Sequence, residues 1–78
     1  MQMDPCMQEI FDHASEAYPE ECCGVVTAAG VVVRLRNVAS NPRKGFRISP
    51  NDYLMYCTGA MFVYHSHPDG VAVFSEMD

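Results

Sequence analysis

Residues 61–78 read Met61-Phe62-Val63-Tyr64-His65-Ser66-His67-Pro68-Asp69-Gly70-Val71-Ala72-Val73-Phe74-Ser75-Glu76-Met77-Asp78, and this stretch decides the fold. Residues 61–67 predict a strand, ended by Pro68. Side chains two apart on a strand point to one face, so His65 and His67 are presented side by side. Asp69 and Gly70 turn the chain. Ser75 and Asp78 then have the spacing of a capping box, which predicts the opening of a helix.

Working back toward the N-terminus, Ser49, Pro50 and Asp52 repeat the helix-start grammar. A helix is expected to run from there to Thr58 and stop at Gly59. Residues 41–45 have loop composition, with Pro42 and Gly45. Residues 31–37 are a β-branched run in which Val31, Val33 and Leu35 share one face and Arg34 and Arg36 the other. Ala28, Ala29 and Gly30 make a turn, and residues 23–27 read as a buried strand. Before them Asp4 is a good N-cap and Pro5 suits the first helical position. Met7, Ile10, Phe11, Ala14 and Tyr18 repeat at helical spacing, and Pro19 ends that helix. His13 falls on its polar side and reads as surface. The order helix, strand, strand, helix, strand, helix start gives an α/β class and one domain over residues 1–78.

The chain has 78 residues, of which 49% are apolar, so it is not of disordered composition. At this length about 60% of the unfolded surface is buried, and the stability margin is thin. Ten acidic and five basic side chains give a formal charge of −5, which argues against nucleic acid as a partner. The basic residues Arg34, Arg36, Arg43, Lys44 and Arg47 cluster in the middle third and read as a solvated strand and loop. No apolar run is long enough to span a membrane. The first ten residues lack the basic and apolar regions of a signal peptide, which predicts a reducing cytoplasm. Cys6, Cys22, Cys23 and Cys57 therefore read as free thiols, with Cys22 and Cys23 as packing groups. They lack the paired spacing of a four-cysteine zinc site.

Two imidazoles on one strand face are suited to one metal ion, and Asp78 could add an oxygen ligand. Two histidines and a carboxylate are a normal catalytic zinc set with one position open to water. A hydrolase also needs a base, and the candidates lie in Pro19-Glu20-Glu21-Cys22-Cys23-Gly24. A Glu just before a buried strand could reach a metal held on a neighbouring strand and take the water proton. Ser75 could donate a hydrogen bond to a developing oxyanion, a role often worth roughly 2.7–4 kcal/mol.

The pattern Glu…His-x-His-Pro-x6-Ser-x2-Asp resembles the signature of the JAMM/MPN+ zinc metallopeptidases, and every element of it is present. The resemblance puts the zinc ligands on His65, His67 and Asp78. By register with Cys23-Gly24 it puts the catalytic base on Glu21, and it puts the oxyanion-side group on Ser75. Residues 19–24 are similar to the prokaryotic branch of that family. The stretch Gly45-Phe46-Arg47-Ile48-Ser49-Pro50-Asn51-Asp52-Tyr53 resembles lambda-type phage tail assembly proteins, in which such a domain precedes a cysteine-peptidase domain.

The resemblance implies a cytidine-deaminase-like mixed sheet flanked by helices, here shortened at its C-terminal end. It implies zinc-dependent hydrolysis of a peptide or isopeptide bond, on a peptide or protein substrate. The rival expectation is a non-catalytic module of a phage tail protein with a vestigial metal site. Phage tail proteins are the expected partners, and the expected location is the bacterial host cytoplasm or the tail. Shortening the sheet is expected to leave an apolar strand with an unpaired edge and to expose Met61, Val63 and residues 31–33. The expected consequence is a homo-oligomer.

Overall fold

The computed structural model describes residues 4–67 and 72–76. Helix α1 spans Pro5–Ala17. The Asp4 side chain caps it by accepting the Cys6 N–H at 2.8 Å, which satisfies one of the free donors of the first turn. Strands β1 (Cys23–Val26) and β2 (Val32–Leu35) follow. Their turn is closed by Thr27 N–H to Val31 O and Gly30 N–H to Thr27 O, both 2.9 Å. Gly30 has φ +82°, a conformation open to glycine at little cost.

Helix α2 is short, Pro50–Asp52, and is capped by Ser49 Oγ, which accepts the Asp52 N–H at 3.2 Å. It runs on into a wider π-helical turn, Tyr53–Cys57. The expected helix thus ends at Cys57 rather than Thr58, and its second half is wound more loosely than an α-helix. Strands β3 (Phe62–Ser66) and β4 (Ala72–Glu76) complete the described elements.

The sheet order is β2-β1-β3-β4. Every pairing among the described residues is antiparallel, which corrects the expectation of a mixed sheet. A second correction concerns Ser75. It opens no helix but lies within β4, opposite Val63. The local capping pattern loses to a ladder of five residue pairs with β3. That ladder also pairs β3 on both edges. Val63 is consequently buried, against expectation, while Met61 and Val31 are exposed.

Alternation along the strands sorts the core into two faces. On one face Ile10 and Ala14 of α1 pack with Cys22, Val26 and Tyr64. On the other, Cys23, Val25, Leu35 and Val63 pack with Cys57 and Ala60, and Val33, Phe46 and Ile48 lie against them. Tyr18 completes the helical spacing in the sequence, yet its side chain is exposed. It is the residue after the last helical one. The four cysteines are free thiols. Burial, with Cys22 and Cys57 nearby, pushes the Cys23 thiol up to about 12, and Cys22 and Cys23 are both buried in the core clusters. Among the described residues no helix is long and apolar enough to cross a membrane.

Candidate metal centre

Strand pairing positions the candidate residues. Cys23 of β1 lies opposite His65 of β3. The pairing continues past β1, because Ser66 N–H donates to Cys22 O at 3.1 Å and Ser66 Oγ accepts the Cys22 N–H at 2.9 Å. One further step of the same register brings Glu21 opposite His67. One ligand atom from each of Glu21, His65 and His67 lies within 4.8 Å of the other two. The two imidazole centroids are 5.1 Å apart with their planes at 84°.

Burial differs along this trio. Glu21 is 6% exposed, His65 is half-buried and His67 is exposed. The cluster therefore opens to solvent at the His67 end. Burial, then the neighbouring His67, hold the His65 imidazole below its ordinary range, with Glu21 acting against them. A neutral imidazole is the form that offers a lone pair to a metal. Glu20, the other acidic candidate, is exposed.

A loop over residues 37–48 forms a wall of the cluster. The Phe46 ring stacks on His65 with centroids 4.4 Å apart and planes at 18°. Glu21 N–H donates to Pro42 O at 2.7 Å. The Asn37 amide donates to Glu21 O at 2.8 Å and to Gly45 O at 3.0 Å. Sequence reasoning assigned no part to Phe46 or Asn37. The usable signal was an aromatic residue inside an otherwise polar loop, and an Asn closing a β-branched strand.

Of the remaining expected site residues, Ser75 lies on β4, two register positions from the pair His65↔Val73. Asp78 and Pro68 lie outside the described residues. His13 was expected at the surface. Instead it is half-buried on the α1 side of the sheet, with Nδ1 2.7 Å from the Tyr64 hydroxyl. Arg34, read as solvated, pairs with Glu9 and Glu16 of α1. An apolar cavity lined by Cys6, Met7, Ile10, Val26, Met61 and Phe62 among others also lies on the α1 side and has neither His65 nor His67 in its lining.

The trio fits zinc by donor chemistry. Two imidazole nitrogens and a carboxylate oxygen are its usual partners, at about 2.0–2.2 Å from the ion. The ligand atoms of a tetrahedral ion of that size sit roughly 3.3 Å apart. Glu21, His65 and His67 each offer one ligand atom within 4.8 Å of the other two, so the three could hold a metal ion together after modest side-chain adjustment.

The model of the family described as prokaryotic homologs of the JAB domain matches residues 3–78. Over 74 residues the chain is 39% identical to the tail tip assembly protein K of Escherichia phage N15, a match covering 88% of this chain and 30% of that protein. The chain thus spans less than a third of that relative's length. No solved structure matches it.

Proposed function

The chain belongs to the prokaryotic homologues of the JAB domain, and from that membership we propose that Glu21, His65 and His67 form a zinc centre that hydrolyses a peptide or isopeptide bond. The observation that carries the reading is the convergence of these three side chains from two paired strands to within 4.8 Å of one another. Glu21 as a residue is only 6% exposed, and glutamates are seldom that deeply placed without a partner group.

In this reading His65 and His67 bind zinc, with Asp78 as the third ligand. Zinc, when bound, supplies a Lewis acid that brings the pKa of water down toward about 7. Glu21 takes a proton from the attacking water. The water oxygen forms a bond to the carbonyl carbon, the carbon–nitrogen bond breaks, and Glu21 returns the proton to the leaving amine. Phe46 shields one side of His65 from solvent. Ser75 donates to the oxyanion.

The relative's name, which speaks of tail tip assembly, favours a second reading. The domain is then a non-catalytic module for phage tail proteins, its metal site vestigial. Zinc content and hydrolysis separate the two. The first reading expects about one zinc per purified chain, lost in His65→Ala and His67→Ala, because bound metal needs its ligands in place. It also expects hydrolysis of a peptide library that stops in Glu21→Gln while zinc is retained. Zinc without hydrolysis favours the tail module, and no zinc in the wild-type chain removes the metal centre altogether.

A further inference from the structure

We infer that Asn37 is the positioning residue of this centre. Its single amide group fixes both the chain that carries Glu21 and the loop that seats Phe46 against His65. The inference rests on the zinc reading of Glu21, His65 and His67, and it adds a residue outside that trio.

A side-chain amide has two N–H donors and an oxygen with two lone pairs. Asn37 uses all four. Nδ2 donates to Glu21 O at 2.8 Å and Gly45 O at 3.0 Å. Oδ1 accepts from Ala39 N–H at 3.0 Å and Arg47 N–H at 3.1 Å. Two of these partners, Gly45 and Arg47, flank Phe46 on both sides. Phe46 in turn lies flat on His65 at 4.4 Å. One planar group therefore sets the Glu21 backbone and the seat of His65 at the same time.

The rest of the loop cannot do this unaided. Residues 37–48 contain no helix or strand. Besides the Asn37 bonds, the backbone hydrogen bonds of the loop are Glu21 N–H to Pro42 O at 2.7 Å, Val38 N–H to Arg47 O at 2.9 Å and Lys44 N–H to Asn41 O at 3.0 Å. The first reaches Glu21 but not Phe46. The other two close the loop on itself. Among the described residues, Asn37 is the side chain whose hydrogen bonds join the Glu21 side to the Phe46 side, while the packing of Phe46 and Ile48 on the core supplies apolar contact without directional bonds. Groups that orient metal ligands without touching the metal commonly cost 10–100-fold in metal affinity when changed, and Asn37 has that relation to His65 through the seat of Phe46.

Asn37→Asp tests this by splitting the amide. A carboxylate still accepts from Ala39 and Arg47, but it donates nothing to Glu21 O or Gly45 O and faces both carbonyls with negative charge. Zinc affinity of the full chain is measured by competition with a chromophoric chelator, below the melting temperature of every variant. The expected result is about a 10–100-fold loss in Asn37→Asp. A smaller loss is expected in Phe46→Leu, which keeps the Asn37 bonds but removes the flat face on His65. Ala14→Gly weakens α1 without touching the loop and should bind zinc as the wild type does. With cobalt in place of zinc, the ligand-field bands should shift in Asn37→Asp and Phe46→Leu and stay fixed in Ala14→Gly. Wild-type affinity and spectra in both loop variants overturn the inference, as does an equal loss in Ala14→Gly. Should Asn37→Asp not fold, Phe46→Leu decides. A wild-type chain that binds no zinc is a separate result, seen before any variant is made, and it ends the zinc reading itself.

Discussion

The Tyr64 ring lies across the α-carbon of Gly24, its partner on the adjacent strand, so closely that a Cβ on Gly24 would fall inside the phenol end of the ring. Tyr64 is fully buried and its hydroxyl is held by His13 Nδ1 at 2.7 Å. The ring therefore cannot swing aside without losing that bond and its packing against α1. Gly24→Ala should destabilise the chain by about 1–3 kcal/mol or more, the usual cost of overpacking a filled core. Gly45→Ala is the matched control, since no atom lies within 4 Å of its Cβ position. Urea titrations of both variants check the contrast, and equal stability of the two would show that the ring yields.

Acid should weaken the fold through the same pair. Burial holds the His13 imidazole below its ordinary range, Arg34 on β2 adds to this, and Glu16 and Glu9 on α1 oppose it. Tyr64, facing His13 from β3, is itself raised by burial and stays a neutral phenol throughout. The folded chain thus prefers neutral His13 more than the unfolded chain does. The stabilisation is fully present above pH ~6.5, the unfolded value, and is lost as pH falls from there through the lower folded value. His65 is shifted in the same direction and adds to the effect in the metal-free chain. Melting temperatures of wild type and His13→Gln between pH 5 and 8 should diverge least at the acid end. A His13→Gln profile that parallels the wild type would assign the acid loss to other groups.

Ser66 sits between the two histidines in sequence but points to the opposite side, where its hydroxyl accepts the Cys22 N–H at 2.9 Å inside the core. Ser66→Ala leaves that buried donor without a partner. The expected loss is about 1–3 kcal/mol, the cost of stranding a buried polar group. Denaturation of the metal-free protein measures it, and a neutral outcome would mean that the Cys22 N–H finds another acceptor.

How much of this was legible in the sequence depended on how local the deciding physics was. The α1 start is local: Asp4 and Pro5 announce it, and Asp4 caps it in the structure. The pairing of His65 with His67 is also local, because it follows from strand alternation. The strand over Ala72–Glu76 was missed because Ser75 and Asp78 carry a helix-start pattern, while the ladder to β3 is a tertiary effect. Its signal was present in Asp69-Gly70 followed by Val71-Ala72-Val73-Phe74, a turn and a β-prone run after an apolar strand. Asn37 and Phe46 were invisible for a different reason. Their partners, Glu21 and His65, are 16 and 19 positions away, and neither contact has a periodicity to betray it.

Self-association is the last expected outcome, and the structure moves its cause. β3 is paired on both edges, so an open edge at Val63 no longer explains it. The exposed apolar surface lies instead on the π-helical turn, where Tyr53, Leu54, Met55 and Tyr56 are all exposed, Leu54 by 71% and Met55 by 67%. Exposed large apolar side chains concentrated on one turn are candidates to meet a partner surface. Each well-buried side chain of this type is worth about 1.5–3 kcal/mol on leaving water, enough for several together to offset the cost of association. Multi-angle light scattering of the 78-residue chain should show a dimer or larger species at high concentration. The double change Leu54→Lys with Met55→Lys should return it to a monomer without loss of helical signal, because neither side chain contributes to the core. A wild-type chain that stays monomeric at the highest attainable concentration would mean that the patch is too small to hold a second copy.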